Sequence, residues 1–390
     1  YTASLYNGLS RLFGMAFHLD YTVCIVVMAV LTGIYVIAGG YMATAINDFI
    51  QGCIMIIGII AVIASVLKSN GGFMQAIDAL ARVEDAQATS TPGAFASFFG
   101  PDPFGLLCVV ILTSLGTWGL PQMVQKFYAI KDEKSIGKGT LISTIFAIIV
   151  AGGCYFLGGF GRLYDIDIAA QGYDAIIPAM IEKLSPLLIA VVVILVLSAS
   201  MSTLSSLVLA SSSTLTLDMI RGTIVKEMTE KKQVFIMRIF IVVFIAISAV
   251  IAVVQYKSGV TFIAQLMGIS WGALAGAFLA PFIYSLYWKG VTKAAVLVNF
   301  LFGSGIMVAN MLARASFPTI LQSPINCGAF AMLAGSGGAP RAAIYMGKKD
   351  NATAEKIVGN CFTFLVICAV VLTAGFYGTL PVLLKWFGAS

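Results

Sequence analysis

The chain has 390 residues, 59% of them hydrophobic and only 10% charged, with a net charge of +6. An ordinary soluble domain carries about a quarter charged residues, and here the charges are gathered into short stretches between apolar runs of about 20 residues, the length that crosses roughly 30 Å of hydrocarbon. A soluble fold is therefore excluded, and the positive charge is read as belonging to membrane-flanking loops, with no nucleic-acid partner expected.

In chain order, residues 1–17 read as the end of a membrane helix, and further spans are predicted near 21–40, 46–68, 104–126, 140–161, 186–218, 234–256, 261–288, 293–313, 323–342 and 358–383. This is an all-α polytopic membrane protein with about ten transmembrane helices in a multi-pass arrangement. The first residue is Tyr1 and nothing before the first span has the form of a signal peptide, so a trimmed or partial chain is expected. The seven cysteines sit in or beside apolar runs without metal-type spacing and read as small buried hydrophobes. The one histidine, His18, stands beside Asp20 in a loop with no nucleophile near it in sequence, so an enzyme is not expected.

Asp48 is the carboxylate that falls at the start of a span, after Gly39-Gly40-Tyr41-Met42-Ala43-Thr44-Ala45-Ile46-Asn47 and before Phe49-Ile50-Gln51. At the bilayer centre a carboxylate costs roughly 2.5–3.5 kcal/mol on insertion scales, so it would face protein, water or a cation. At the interface it would simply be solvated. The loop at 69–103 and the segment 170–183 each have the pattern of a short helix lying on the membrane surface, as a lid or as a plain connector. Two glycines and a proline interrupt the next span at Ser114-Leu115-Gly116-Thr117-Trp118-Gly119-Leu120-Pro121-Gln122, and a broken helix can present free backbone groups to a solute.

The span from 186 carries Ser198, Ser200, Ser202, Thr203, Ser205 and Ser206 in an otherwise apolar run. Hydroxyls in membrane helices ordinarily bond back to a carbonyl one turn earlier or across to a neighbour. Ser202, Ser205 and Ser206 stand at i, i+3 and i+4 and share one helix face, with Thr203 beside them, a set of oxygens that suits an alkali cation. Glycines at 152–153, 158–159 and 161, and at 268, 272 and 276, have the small-residue spacing of closely packed helices.

The loop charges share one pattern. Lys126, Lys131, Lys134 and Lys138, then Arg221, Lys226, Lys231, Lys232 and Arg238, then Lys289 and Lys293, then Arg341, Lys348, Lys349 and Lys356 all fall on one side under strict alternation. That side is predicted to be cytoplasmic, with the protein in the plasma membrane.

Taken together, the Gly39–Gln51 stretch, the Gly116–Pro121 break, the Ala199–Ser206 run and Gly268-Ile269-Ser270-Trp271-Gly272-Ala273 resemble the sodium:solute symporter family over about residues 1–335. The resemblance implies a LeuT-like inverted-repeat core, alternating access, and sodium as the coupling ion for a small organic solute of the amino acid, sugar or carboxylate class. It implies one sodium site at the carbonyl of Ala199 and the hydroxyls of Ser202 and Thr203, and a second at Asp48, Ser202, Ser205 and Ser206. Solute contacts are expected from Thr113, Thr117, Trp118 and Gln122. The family usually has Thr where this chain has Asn47, and Thr113 and Thr117 stand where a proline transporter carries large aromatic residues, so proline is not the expected solute. By the same alignment Tyr1 falls near the end of the third core helix, and the first core helix is expected to be missing.

Residues 336–390, with Gly335-Ser336-Gly337-Gly338-Ala339-Pro340-Arg341, Gly347-Lys348-Lys349-Asp350 and Ala354–Asn360, resemble instead a hairpin of the multidrug and toxin extrusion (MATE) family. That piece implies the alternatives of a cation-coupled exporter or a non-transporting fusion, beside the leading expectation of sodium symport.

Overall fold

The computed structural model describes residues 1–337 apart from 86, 87, 90, 128, 129, 165, 169–171, 226, 259–262 and 288–290, together with 352, 353 and 356; at 40–44, 125–127, 222, 258 and 334–337 only the backbone is described. The MATE-like hairpin expected at 336–390 and the span expected at 358–383 thus lie almost wholly outside the described residues.

The described elements are all helical. In chain order they are α1 (Thr2–Phe17), α2 (Tyr21–Ser69), α3 (Phe73–Ala81), α4 (Pro103–Ser114), α5 (Pro121–Phe127), α6 (Glu133–Phe146), α7 (Gly152–Gly159), α8 (Ile176–Glu182), α9 (Pro186–Ser213), α10 (Glu230–Ser258), α11 (Ile263–Tyr287), α12 (Lys293–Leu312), α13 (Thr319–Gln322) and α14 (Pro324–Gly337). Among the described residues seven stretches are long and apolar enough to cross a membrane: Tyr21–Gly39, Ala45–Ser69, Glu133–Leu163, Pro186–Arg221, Glu230–Lys257, Ile263–Tyr287 and Lys293–Leu312. Two shorter apolar helices, Pro103–Gly119 and Pro324–Leu333, add to them. Large apolar side chains stand open along these spans, with Ile34 63%, Ile57 69% and Phe235 63% exposed. Water would penalise such faces, whereas lipid tails match them.

Local chemistry starts the helices where the sequence signals them. The Asp20 carboxylate accepts the N–H groups of Thr22 at 2.9 Å and Val23 at 3.2 Å, which caps α2 and accounts for the His18–Asp20 pair without any catalytic role; His18 itself ends α1 in the left-handed region, at φ 54°. Asp102 caps α4 through Gly105 N–H, with Pro103 at the first helical position. Asp132 caps α6, and hydrogen bonds from the hydroxyl and the N–H of Ser135 hold its carboxyl below the usual carboxylate range.

Two spans predicted as separate, 21–40 and 46–68, are joined as the single helix α2. Asn47 Nδ2 nevertheless donates to Tyr35 Oη at 2.9 Å. In a straight helix those Cα atoms would lie about 18 Å apart, beyond the reach of both side chains, so α2 bends between them. The two short helices anticipated in the loops are present as α3, which buries Ala76 and Leu80, and α8, which buries Met180 and Ile181.

The chain divides into two compact units, Tyr1–Leu80 with Gln125–Ala264, and Ala81–Val124 with Gln265–Ser390. In the first, small residues admit close neighbours: a Cβ at Gly153 would lie 3.0 Å from Ile59, and one at Gly161 2.7 Å from Ile176. Gly158 and Gly159 meet nothing within 4 Å, so packing accounts for only part of that glycine cluster.

In the second unit the predicted stripe on α11 is a packing surface. Gly268 abuts Ile325 of α14, Gly272 abuts Gly328 of α14 and Met307 of α12, and Gly276 abuts Gly303 of α12. Asn299 is fully buried and donates to the carbonyls of Gly276 and Ala277 at 2.9 and 2.8 Å, binding α12 to α11 through polar groups that lipid could not satisfy.

Candidate functional site

The expected cation ligands all lie in the first unit, on the second half of α2 and on α9. Two contacts fix how these helices run. A Cβ at Gly58 would meet the Leu195 side chain at 2.5–3.3 Å, and Val62 and Val66 line the same small cavity as Leu184, just before α9 begins. Numbers rise on one helix as they fall on the other, so the pair is antiparallel. Stepping from Gly58–Leu195 at 1.5 Å per residue on each helix brings Gln51 level with Ser202, Asp48 with Ser205 and Asn47 with Ser206. Asp48 is half-buried and turned to one side of the line that Asn47 and Gln51 follow, while Ser205 is fully buried.

The hydroxyls themselves are engaged with their own helix. Ser205 Oγ and Ser206 Oγ each donate to the Ser202 carbonyl at 3.0 Å, and Thr203 Oγ1 donates to the Ala199 carbonyl at 3.0 Å. This is the ordinary back-bonding of helical hydroxyls. It spends the protons and leaves the hydroxyl lone pairs to accept from, or coordinate, a neighbour. The Ala199 carbonyl is in a different position, because it already accepts the Thr203 hydroxyl. A cation held by both Ala199 O and Thr203 Oγ1 would require that hydroxyl to turn away.

The expected solute contacts belong to the second unit. The predicted break is present: α4 ends at Ser114, a single 3-10 turn spans Gly116–Gly119, and α5 starts at Pro121. A Cβ at Gly119 would sit 2.7 Å from the backbone N of Leu279, so the broken segment lies directly against α11 and only glycine fits there. Thr113 and Thr117 bond back to Val109 and Ser114, Trp118 is exposed, and Gln122 is buried.

A polar cluster that the sequence reading did not single out lies at the other end of the first unit. Asn7 donates to Gln255, Tyr21 Oη donates to Asn7 Oδ1, and the Tyr21 and Tyr256 rings stack at 3.6 Å. The Arg11 guanidinium lies over the Tyr256 ring at 5.9 Å and reaches Asp174 at 3.7 Å. Asp174 also accepts Ile263 N–H, at 3.1 and 3.2 Å to its two oxygens. Asn7 and Gln255, polar residues in apolar surroundings, were the available signal.

Asp174 lies between spans, and burial raises its carboxyl above the ordinary 3.8, outweighing the Ile263 N–H and the Arg11 charge that pull it down. A raised folded value means that the protonated form is the better tolerated one, so stability is highest below the unfolded value and falls as pH rises through the folded one. The Tm of the chain minus that of Asp174→Asn is therefore expected to decrease as pH is raised from about 4, the ordinary Asp range. A difference that stays flat between pH 4 and 7, measured by thermal unfolding in detergent, would contradict this.

Several comparisons bear on what the site belongs to. A sodium/proline symporter of Staphylococcus saprophyticus is 29% identical over 315 residues, covering 79% of this chain and 59% of that protein. A sodium/pantothenate symporter of Haemophilus influenzae is 27% identical over 300 residues, covering 76% of this chain and 60% of that protein. The chain therefore spans about 60% of the length of these relatives. Among solved structures, a Na+-coupled sialic acid symporter in a substrate-bound outward-open state matches with a TM-score of 0.60 at 18% identity, covering 87% of this chain and 73% of that one, which establishes a shared fold. The profile of the Sodium:solute symporter family matches residues 1–303, and the chain belongs to that family.

Proposed function

We propose that this chain carries out sodium-coupled symport of a small organic solute across the plasma membrane, with its basic loops on the cytoplasmic side. One observation carries the reading: the antiparallel register of α2 and α9, anchored at Gly58–Leu195, which puts Asp48 at the level of Ser205, one residue from that of Ser206. Asp48, Ser202, Ser205 and Ser206 would hold one sodium ion, a carboxylate with hydroxyls of which those of Ser205 and Ser206 already spend their protons on the helix. Ala199, Ser202 and Thr203 would hold a second after the Thr203 hydroxyl turns. The solute would meet Thr113, Thr117, Trp118 and Gln122 at the broken helix, and its class is that of an amino acid, a sugar or a carboxylate. The names of the relatives, which carry proline and pantothenate, support a small organic solute of this kind.

The transport function belongs to residues 1–335 in this reading, and the sequence of 336–390, which resembles the MATE family, is not needed for it. The family match, ending at residue 303, supports a division in the last quarter of the chain. Proteoliposomes containing the chain test the function directly. An inward sodium gradient should drive uptake of one solute from a panel of amino acids, sugars and carboxylates, and a sodium ionophore should abolish it. Uptake indifferent to sodium would overturn symport, and sodium binding without any uptake would favour a non-transporting membrane protein. A chain ending at residue 335 should keep the same sodium dependence.

A further inference from the structure

Gln51 is 7% exposed, and its Oε1 has no hydrogen-bond partner among the described residues. A buried amide carbonyl left unpaired is unfavourable, more so in a membrane where water is not available to relax it. Such a group is retained where something else fills its lone pairs.

The geometry says what faces it. Gln51 lies seven residues before Gly58 on α2, and Ser202 lies seven residues after Leu195 on α9, so both are two turns from the observed Gly58–Leu195 contact, in the same direction. Seven residues rotate a helix through about 700°, which returns each side chain to within about 20° of the contact line. Gln51 and Ser202 therefore stand opposite each other across the two helices, about 10 Å along from that contact. Ser202 is also the residue that the two expected cation sites share. Its carbonyl already accepts the hydroxyls of Ser205 and Ser206, so it is a poor partner for a further donor. No described donor, the Ser202 hydroxyl included, reaches the buried Gln51 Oε1, and a cation set between it and the oxygens of α9 would fill its lone pairs.

We propose that Gln51 is a sodium ligand, supplying a neutral oxygen at the junction between the Asp48 site and the Ala199–Thr203 site. A neutral ligand there lets an ion pass between the two sites without a second fixed negative charge to trap it. The proposal rests on the sodium reading above, and its test separates the two.

Sodium is titrated against the thermal midpoint of the full chain in detergent, with choline chloride holding ionic strength constant. The wild-type chain should be stabilised by sodium; absence of any such stabilisation would overturn the sodium reading itself, and with it this assignment. Gln51→Leu should weaken apparent sodium affinity by about tenfold, the equivalent of one lost ligand, while the sodium-free midpoint changes little. Gln51→Glu keeps an oxygen in place, so it should retain sodium binding and acquire a pH dependence, weakening as the introduced carboxyl is protonated. Wild-type affinity in Gln51→Leu, or a Gln51→Glu chain whose sodium titration is unchanged at every pH, would refute the ligand role while leaving the sodium reading standing. If Gln51→Leu fails to fold, the Gln51→Glu pH profile decides the matter alone.

Discussion

Asp48→Ala should weaken sodium stabilisation of the chain by about a hundredfold in apparent affinity, equivalent to about 2.7 kcal/mol. The size follows from the charge. A carboxylate and a cation about 4 Å apart attract by about 4 kcal/mol at the effective dielectric of a protein site, part of which is spent on stripping both of water. Removing a hydroxyl from the same shell, as in Ser205→Ala, takes away a dipole and should cost several times less. Asp48→Asn keeps the oxygen and loses the charge, so it should fall between the two. Ser212→Ala is the matched control: Ser212 is on α9, is fully buried and bonds back to the Val208 carbonyl, but lies two turns beyond Ser205. Its sodium titration should match wild type. A normal sodium response in Asp48→Ala would remove the carboxylate from the site and return it to the solvated interfacial role that its position also allows.

Gly303→Ala should be the most disruptive single methyl in the described part of the second unit. A Cβ there would lie 2.2 Å from the carbonyl carbon of Gly276 and 2.6 Å from the backbone N of Ala277. Those are main-chain atoms of a packed helix, so relief requires moving α12 away from α11. The same shift would stretch the hydrogen bonds from Asn299 to the Gly276 and Ala277 carbonyls. Overpacking of this kind costs about 1–3 kcal/mol and sometimes more, and the lost Asn299 bonds put this site at the upper end. Gly305→Ala, two residues along α12 where nothing lies within 4 Å, should leave stability unchanged or slightly improved, because alanine is the better helix former. Equal stability of the two variants, by thermal or denaturant unfolding in detergent, would show that the α11–α12 approach is looser than described.

Much of the chain could be read in one dimension because the signals are local. The spans follow from length and hydropathy, and the broken helix from Gly116, Gly119 and Pro121. The shared face of Ser202, Ser205 and Ser206 follows from helical period alone. The expected boundary between the first two spans was less local: helix continues through it, and a bend held by Asn47 and Tyr35 takes the place of a loop. The glycines at 268, 272 and 276 could be recognised as small residues at packing spacing, but nothing in the pattern named Ile325, Gly328 and Gly303 as what they pack against.

The sequence by itself determined that this is a membrane protein and where most of its helices run, since apolar length and period are properties of neighbouring residues; it also supplied the oxygens proposed for sodium. Tertiary structure alone decided that Gly58 meets Leu195, that Gln51 Oε1 is buried without a described partner, that the Ala199 carbonyl is already occupied by Thr203, and that Arg11, Tyr21, Asp174 and Tyr256 meet in one cluster. Those facts depend on which helices touch and in what register. Between residues more than a hundred positions apart, register is set by side chains such as Gly58 and Leu195 fitting together, and no local pattern encodes that fit.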